Sequence, residues 1–177
     1  MALSIDQFKA KLVGGGARAN LFKVLLTFPA GVSGDADLAS FMIKAASLPA
    51  TTSNAIDVPF RGRILKVAGP RSFDNWSITV INDVGMELRN TMEQWANFIS
   101  KQSSNTGKQA PSSYQSDLTV QQLDKDEKVI KTYIIRGAFP TTVSAIDLTS
   151  DAESSVEEFT VEFAYQYWTS VESKSTE

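Results

Sequence analysis

Apolar residues two positions apart dominate this chain. From Asn20 to Phe28, the side chains of Phe22, Val24, Leu26 and Phe28 share one face of a predicted strand. Leu21, Lys23, Leu25 and Thr27 share the other face, and Pro29 and Gly31 end the strand. Ser72–Asn82 predicts another, with Trp76, Ile78 and Val80 alternating with Ser77, Thr79 and Ile81. Two more, at about 114–124 and 128–138, form a hairpin with a charged tip at Asp124–Lys128, terminated by Gly137 and Pro140. The clearest alternation comes after a loop through 141–155. Phe159, Val161, Phe163, Tyr165 and Tyr167 oppose Glu158, Thr160, Glu162, Ala164 and Gln166. Trp168 ends that strand on its polar side, and the last nine residues read as frayed.

The period changes once. Roughly residues 84–101 place Leu88, Met92, Trp95, Ala96 and Ile99 on one helical stripe, with Asp83 as N-cap and Glu87 in the first turn. Trp95 belongs to that stripe and is read as core. Leu38–Leu48 fits a strand or a helix equally and closes at Pro49. Leu3, Phe8 and Leu12 give the first twelve residues a loose amphipathic pattern ahead of Gly14-Gly15-Gly16, a flexible joint. Residues 49–71 read as a long irregular stretch with short β-prone pieces at Ile56–Val58 and Ile64–Ala68. Its basic residues are Arg61, Arg63, Lys66 and Arg71. A stretch this long is either a protruding hairpin with a solvated basic face or a docking element for another chain. The predicted fold is mainly β: an antiparallel sandwich or barrel with one flanking helix. The predicted organisation is an arm and glycine hinge at 1–19, a domain at 20–170 and a flexible end at 171–177.

Composition narrows the chemistry more than the fold. The 177 residues include no cysteine and no histidine. Thiol catalysis, disulfides, cysteine metal sites and histidine-based nucleophile pairs are therefore excluded. No cofactor is expected. Carboxylate pairs exist (Asp124/Asp126, Asp151/Glu153, Glu157/Glu158), but they fall on a hairpin tip, a loop and a strand edge, where they read as solvated charge. The triple glycine lacks the Gly-Lys-Ser/Thr ending of a phosphate loop. No stretch reaches the length of a spanning helix and no secretory signal is evident, so no membrane anchoring is expected and the product is kept, or assembled, in a cytoplasm.

Net charge is −3, unevenly spread: +5 over residues 1–71, −1 over 72–146 and −7 over 147–177. Such polarity suits neutralisation within the fold, or a positive surface meeting the negative surface of an identical neighbour. Several strands also carry apolar residues on both faces: Leu21 and Leu25 against Phe22 and Val24, Ile81 against Val80, Ile130 and Ile134 against Val129 and Ile135. A solitary sandwich leaves one face wet, so this pattern points to burial by other copies.

Five segments carry a resemblance. Asn20-Leu-Phe-Lys-Val, Lys44-Ala-Ala-Ser-Leu-Pro, Val58-Pro-Phe-Arg-Gly-Arg, Gly137-Ala-Phe-Pro-Thr-Thr-Val-Ser-Ala-Ile-Asp-Leu and Glu157-Glu-Phe-Thr-Val-Glu-Phe-Ala-Tyr-Gln-Tyr-Trp follow one another in the order found in tail tube proteins of T4-like contractile-tailed bacteriophages. The chain resembles that family over most of its length. The resemblance implies a sandwich whose strands join neighbours in a six-membered ring, with inner strands forming a continuous β-barrel around a channel for DNA. Rings would stack into a rod that sheath contraction drives through the host envelope, in a virion tail assembled in the host cytoplasm. It further implies sheath, baseplate, tape-measure and tail-terminator proteins as partners, and a neutral to negative lumen that passes DNA without sequence-specific binding. Candidate inter-subunit contacts are Phe8, Arg18, Pro59, Phe60, Arg61, Arg63, Lys66, Arg71, Glu157, Glu158 and Glu162. Three readings compete: the inner tube of a related secretion system or tailocin, a monomeric module displaying Trp76 or Trp168 to carbohydrate, and a carboxylate enzyme.

Overall fold

A computed structural model describes residues 4–12, 16–151 and 155–172. Gly14 and Gly15 of the expected hinge lie outside the described residues, as do 173–177. The arm carries α1 (Ile5–Lys11), N-capped by Ser4, whose hydroxyl accepts from the Gln7 N–H.

β1 (Phe22–Leu26) is followed by α2 (Ala36–Met42) and β2 (Ile43–Ala46), so the ambiguous segment is a helix and then a strand. Asp35 starts that helix by accepting from the Asp37 and Leu38 N–H groups. Next come β3 (Thr52–Phe60), β4 (Arg63–Ser72) and β5 (Trp76–Ile81). Helix α3 (Glu87–Ile99) begins three residues later than its sequence suggests, with Met86 at the N-cap position in the left-handed region. Asp83 still serves the helix start, accepting from the N–H groups of Gly85 and Glu87. Short α4 (Pro111–Tyr114) precedes β6 (Ser116–Leu123), β7 (Val129–Val143), β8 (Glu158–Ala164) and β9 (Tyr167–Glu172).

One antiparallel sheet runs β1-β6-β7-β8-β5-β2, with β9 on β7; its path is open, so the sandwich is not a closed barrel. Strand β7 does not end at Gly137 and Pro140 as its sequence predicts. It bends there and changes partners, from β6 and β9 before the bend to β8 after it. Gly137 takes φ +62°, open to a residue without a Cβ, and Pro140 sits at a register shift, where a missing N–H breaks no ladder. Asp117 holds the corner: one carboxylate oxygen accepts from the Gly137 N–H at 3.0 Å and the other from the Arg136 guanidinium. The late strand crosses the same corner and is therefore two strands. It breaks at Tyr165–Gln166, where the Gln166 N–H donates to the Arg136 carbonyl. β9 reaches Glu172 opposite Lys131, so residues 169–172 are paired rather than frayed.

The bend folds the sheet into two leaves, β1-β6-β7-β9 and β7-β8-β5-β2, facing one core. Val24, Leu26, Leu118, Val120 and Ile135 of the first leaf meet Trp76, Ile78, Val80, Phe159, Val161 and Phe163 of the second. Leu88, Met92 and Trp95 of α3 close the side of that core. The Trp95 indole stacks edge-on against Phe28, lies 5.9 Å from Phe163, and donates to the Tyr114 carbonyl. Core packing is its role, as the helical stripe predicts.

Candidate assembly surface

The stretch at 49–71 is a regular β-hairpin standing outside the sandwich. Strands β3 and β4 pair only with each other, closed by the two-residue turn Arg61-Gly62 with φ +46° and +80°. Positive φ at both positions matches a type I′ turn, whose twist suits a hairpin. Arg61 in the left-handed region is an unusual occupant, since no glycine, asparagine or aspartate relieves its Cβ.

Register sorts the hairpin into two faces. The pairs Ile56↔Val67, Val58↔Leu65 and Phe60↔Arg63 lie on one; Asp57↔Lys66 and Pro59↔Ile64 lie on the other. The first face is an aliphatic and aromatic surface that this chain does not cover: Phe60 is 67% exposed and Leu65 61%. An isolated two-stranded hairpin is marginal in water, so such a blade needs a partner for its apolar face.

The root of the blade is fixed by tryptophan. The Trp76 indole, buried in the core, donates to the Ser47 carbonyl at 2.6 Å. The Trp168 indole packs at a tilt against Tyr133, 5.6 Å between ring centres, and donates to the Ala50 carbonyl and the Thr51 hydroxyl. On the return side, the rings of Phe73 and Tyr165 lie 5.8 Å apart. Burial leaves Trp76 no face for a sugar, and Trp168 is engaged by its own chain.

The outer faces of the leaves differ in character. On the first, register lines up Leu25, Thr119, Ile134 and Thr169, with Lys23, Gln121, Thr132 and Val171 in the next row but one. Ile130, Tyr167 and Val171 on this side are all exposed. The two-sided apolar pattern of β1 and β7 thus places Leu25, Ile130 and Ile134 outside the sandwich core. On the second leaf the outward pairs are Ser77↔Glu162, Thr79↔Thr160 and Ile81↔Glu158, a surface of hydroxyls and carboxylates with Ile81 as its one aliphatic side chain in these pairs. β1, β2 and β9 are the strands at the margins.

Six of the eleven candidate contact residues, Pro59, Phe60, Arg61, Arg63, Lys66 and Arg71, lie on the blade. Lys66 pairs with Asp57 at 2.9 Å, and the Arg61 guanidinium lies over the Phe60 ring at 5.4 Å. The other five are elsewhere. Phe8 is exposed on α1, and Arg18 is exposed ahead of β1, its carbonyl accepting from Gln122. Glu157 accepts from the Asn82 side chain at 3.1 Å, Glu158 pairs with Lys44 at 2.6 Å, and Glu162 points outward on the second leaf.

One feature escaped the sequence reading. A cleft of about 860 Å3 opens between the 33–38 segment and the start of α3, lined in part by Asp35, Asp37, Leu38, Glu87 and Leu88. Its signal in the sequence is Ser33-Gly-Asp-Ala-Asp-Leu, a helix-start pattern that runs into the segment from Leu38 that fits strand and helix equally.

The family model described as phage tail tube protein matches residues 17–171. The tail tube protein gp19 of Enterobacteria phage T4 is 32% identical over 164 residues, covering 92% of this chain and 97% of that protein. The tail tube protein of Serratia phage KSP90 is 28% identical over 166 residues, covering 92% and 94%. The fold recurs in a chain of the anti-feeding prophage baseplate (TM-score 0.67, 13% identity, covering 90% of this chain and 97% of that one). It recurs also in the sheath–tube complex of an extracellular contractile injection system (TM-score 0.62, 15% identity, covering 97% and 100%). The chain belongs to the phage tail tube protein family, and is a structural subunit of a phage tail rather than an enzyme.

Proposed function

We propose that six copies of this chain close into a ring and that rings stack head to tail into a hollow tube, which sheath contraction drives through the host envelope and which conducts viral DNA. The observation that carries this reading is the blade: an anchored hairpin with an uncovered apolar face, beside open strand edges, in a chain of the tail tube family. Ring closure removes sheet edges that would otherwise pair at random. Stacking is a heterologous contact that does not close and so generates a rod.

The outer face of the second leaf lines the lumen in this reading. Its hydroxyls and carboxylates, with Lys44 neutralised by Glu158, give phosphates nothing to hold, and a duplex slides past. Glu158 and Glu162 then set the lumen's sign rather than holding a neighbour, while Glu157, one residue out of phase with that face, stays with Asn82. The more apolar outer face of the first leaf meets protein. Phe8, Arg18 and the six blade residues make contacts between subunits. Sheath subunits surround the rod, baseplate and tail-terminator proteins cap its ends, and the tape-measure protein occupies the channel before DNA does.

Negative-stain microscopy of the concentrated, purified protein tests the assembly. Sixfold rings or hollow rods are expected, and a compact monomer at every concentration would overturn the tube. Nucleic acid inside purified particles tests the cargo; a lumen lined by arginine, or protein as the only content, would overturn DNA conduction.

A further inference from the structure

We propose that the tip of the β3–β4 hairpin of one copy docks into the cleft between α2 and α3 of a second copy. The occupant is a copy of this chain because of the tube reading above, and charge and shape choose where it sits.

The tip, Val58–Leu65, carries Arg61 and Arg63 and no acid. The cleft is lined by Asp35, Asp37 and Glu87 and by no basic residue. Among the described residues, neither arginine makes an ion pair, and neither do Asp37 and Glu87; Asp35 is occupied in capping α2. The charges that match are therefore unmatched within one molecule. Cation binding is the other outlet for such a rim, but no three acidic side chains among the described residues converge as a metal requires.

Apolar contact points the same way. Phe60 and Leu65 share the exposed face of the blade, and the half-buried Leu38 lines the cleft above the core residue Leu88. About 860 Å3 accommodates an aromatic ring with guanidinium groups at the acidic rim. Arg61 already lies over Phe60, so ring and charge are presented together and little ordering remains to be done on docking. Trp76 and Trp168 fix the root, so the tip is offered in a defined direction.

Charge reversal with complementation tests the contact. R61E/R63E alone and D35K/D37K alone each raise the critical concentration for assembly by at least about tenfold, because like charges then face each other. An equimolar mixture restores assembly, since each hairpin finds an opposite cleft on the other variant. Asp35 caps α2, so an unchanged thermal melt of D35K/D37K is required alongside; Asp37→Lys alone replaces the double change if the melt shifts. In this cysteine-free chain, mixing Leu65→Cys, on the docking face, with Asn90→Cys should give disulfide dimers enriched over either variant oxidised alone. Reversed variants that assemble like the parent, or fail to complement when mixed, overturn the contact while leaving the tube intact. A parent protein that forms neither rings nor rods overturns the tube itself, and absence of the mixed disulfide then overturns the contact as well.

Discussion

The sandwich and the blade are written in the same alternating pattern, yet only one of them is finished. In β5, Trp76, Ile78 and Val80 are almost wholly buried, because β8, α3 and the first leaf lie against them. In β3 and β4, Ile56, Val58, Phe60, Leu65 and Val67 alternate just as regularly and remain exposed. Period 2 says that a strand has an apolar face; it does not say which molecule covers that face. In a tube subunit, part of the core is deferred to assembly.

The sharpest break in this comparison comes from truncating each region. Trp76→Ala opens a cavity in the core and frees the Ser47 carbonyl, and should cost about 3–5 kcal/mol of monomer stability. Val58→Ser with Leu65→Ser on the blade should leave the monomer within about 0.5 kcal/mol of the parent, as exposed changes do, while abolishing rods. Chemical denaturation of the monomer and sedimentation of the assembled protein read the two effects separately. A blade variant that melts with the core would make the hairpin part of the sandwich and end the distinction.

Legibility in the sequence follows the same division. β1, β5, the β6–β7 hairpin and the α3 stripe were readable, because local alternation and tertiary burial agree there. The sequence of the blade leaves a protruding hairpin as one of two readings of an irregular stretch, because its turn is Arg61-Gly62, which lacks the Asn-Gly or Asp-Gly pair that marks a type I′ hairpin. The late strand reads as one piece because alternation from Phe159 to Tyr167 does not falter; the break at Tyr165–Gln166 is imposed by the corner of β7, distant in sequence. The acidic cleft joins residues near 35 to residues near 87, and no local pattern announces such a meeting. Resemblance gave the ring and the tube, which no single chain's periodicity contains.

The corner itself is a smaller test, since it decides whether the leaves face each other at all. Asp117→Ala removes the acceptor for both the Gly137 N–H and the Arg136 guanidinium. Both side chains are partly solvated, so the expected loss is about 1–2 kcal/mol rather than that of a buried pair. Amide exchange at Gly137 should quicken in step with the lowered melt. Loss of the same size without faster exchange at the corner would place the role of Asp117 elsewhere.

The smallest effect separates covering from satisfying a residue. Tyr165 sits where β8 gives way to β9, against Phe73 at the blade's root, and its buried hydroxyl has no hydrogen-bond partner among the described residues. An unpaired buried hydroxyl costs desolvation and returns nothing, so Tyr165→Phe should leave the fold equal or up to about 1 kcal/mol more stable. Burial first, and the nearby Asp74 carboxylate second, raise the phenol's pKa above its usual 10. The folded state then holds its proton where the unfolded chain releases it, so stability falls as pH rises beyond the unfolded value. Denaturation followed above pH 10 should show that fall in the parent and a weaker one in Tyr165→Phe. A destabilised variant would mean that the hydroxyl has a partner after all, which at this position would tie the blade's root to the corner by more than ring packing.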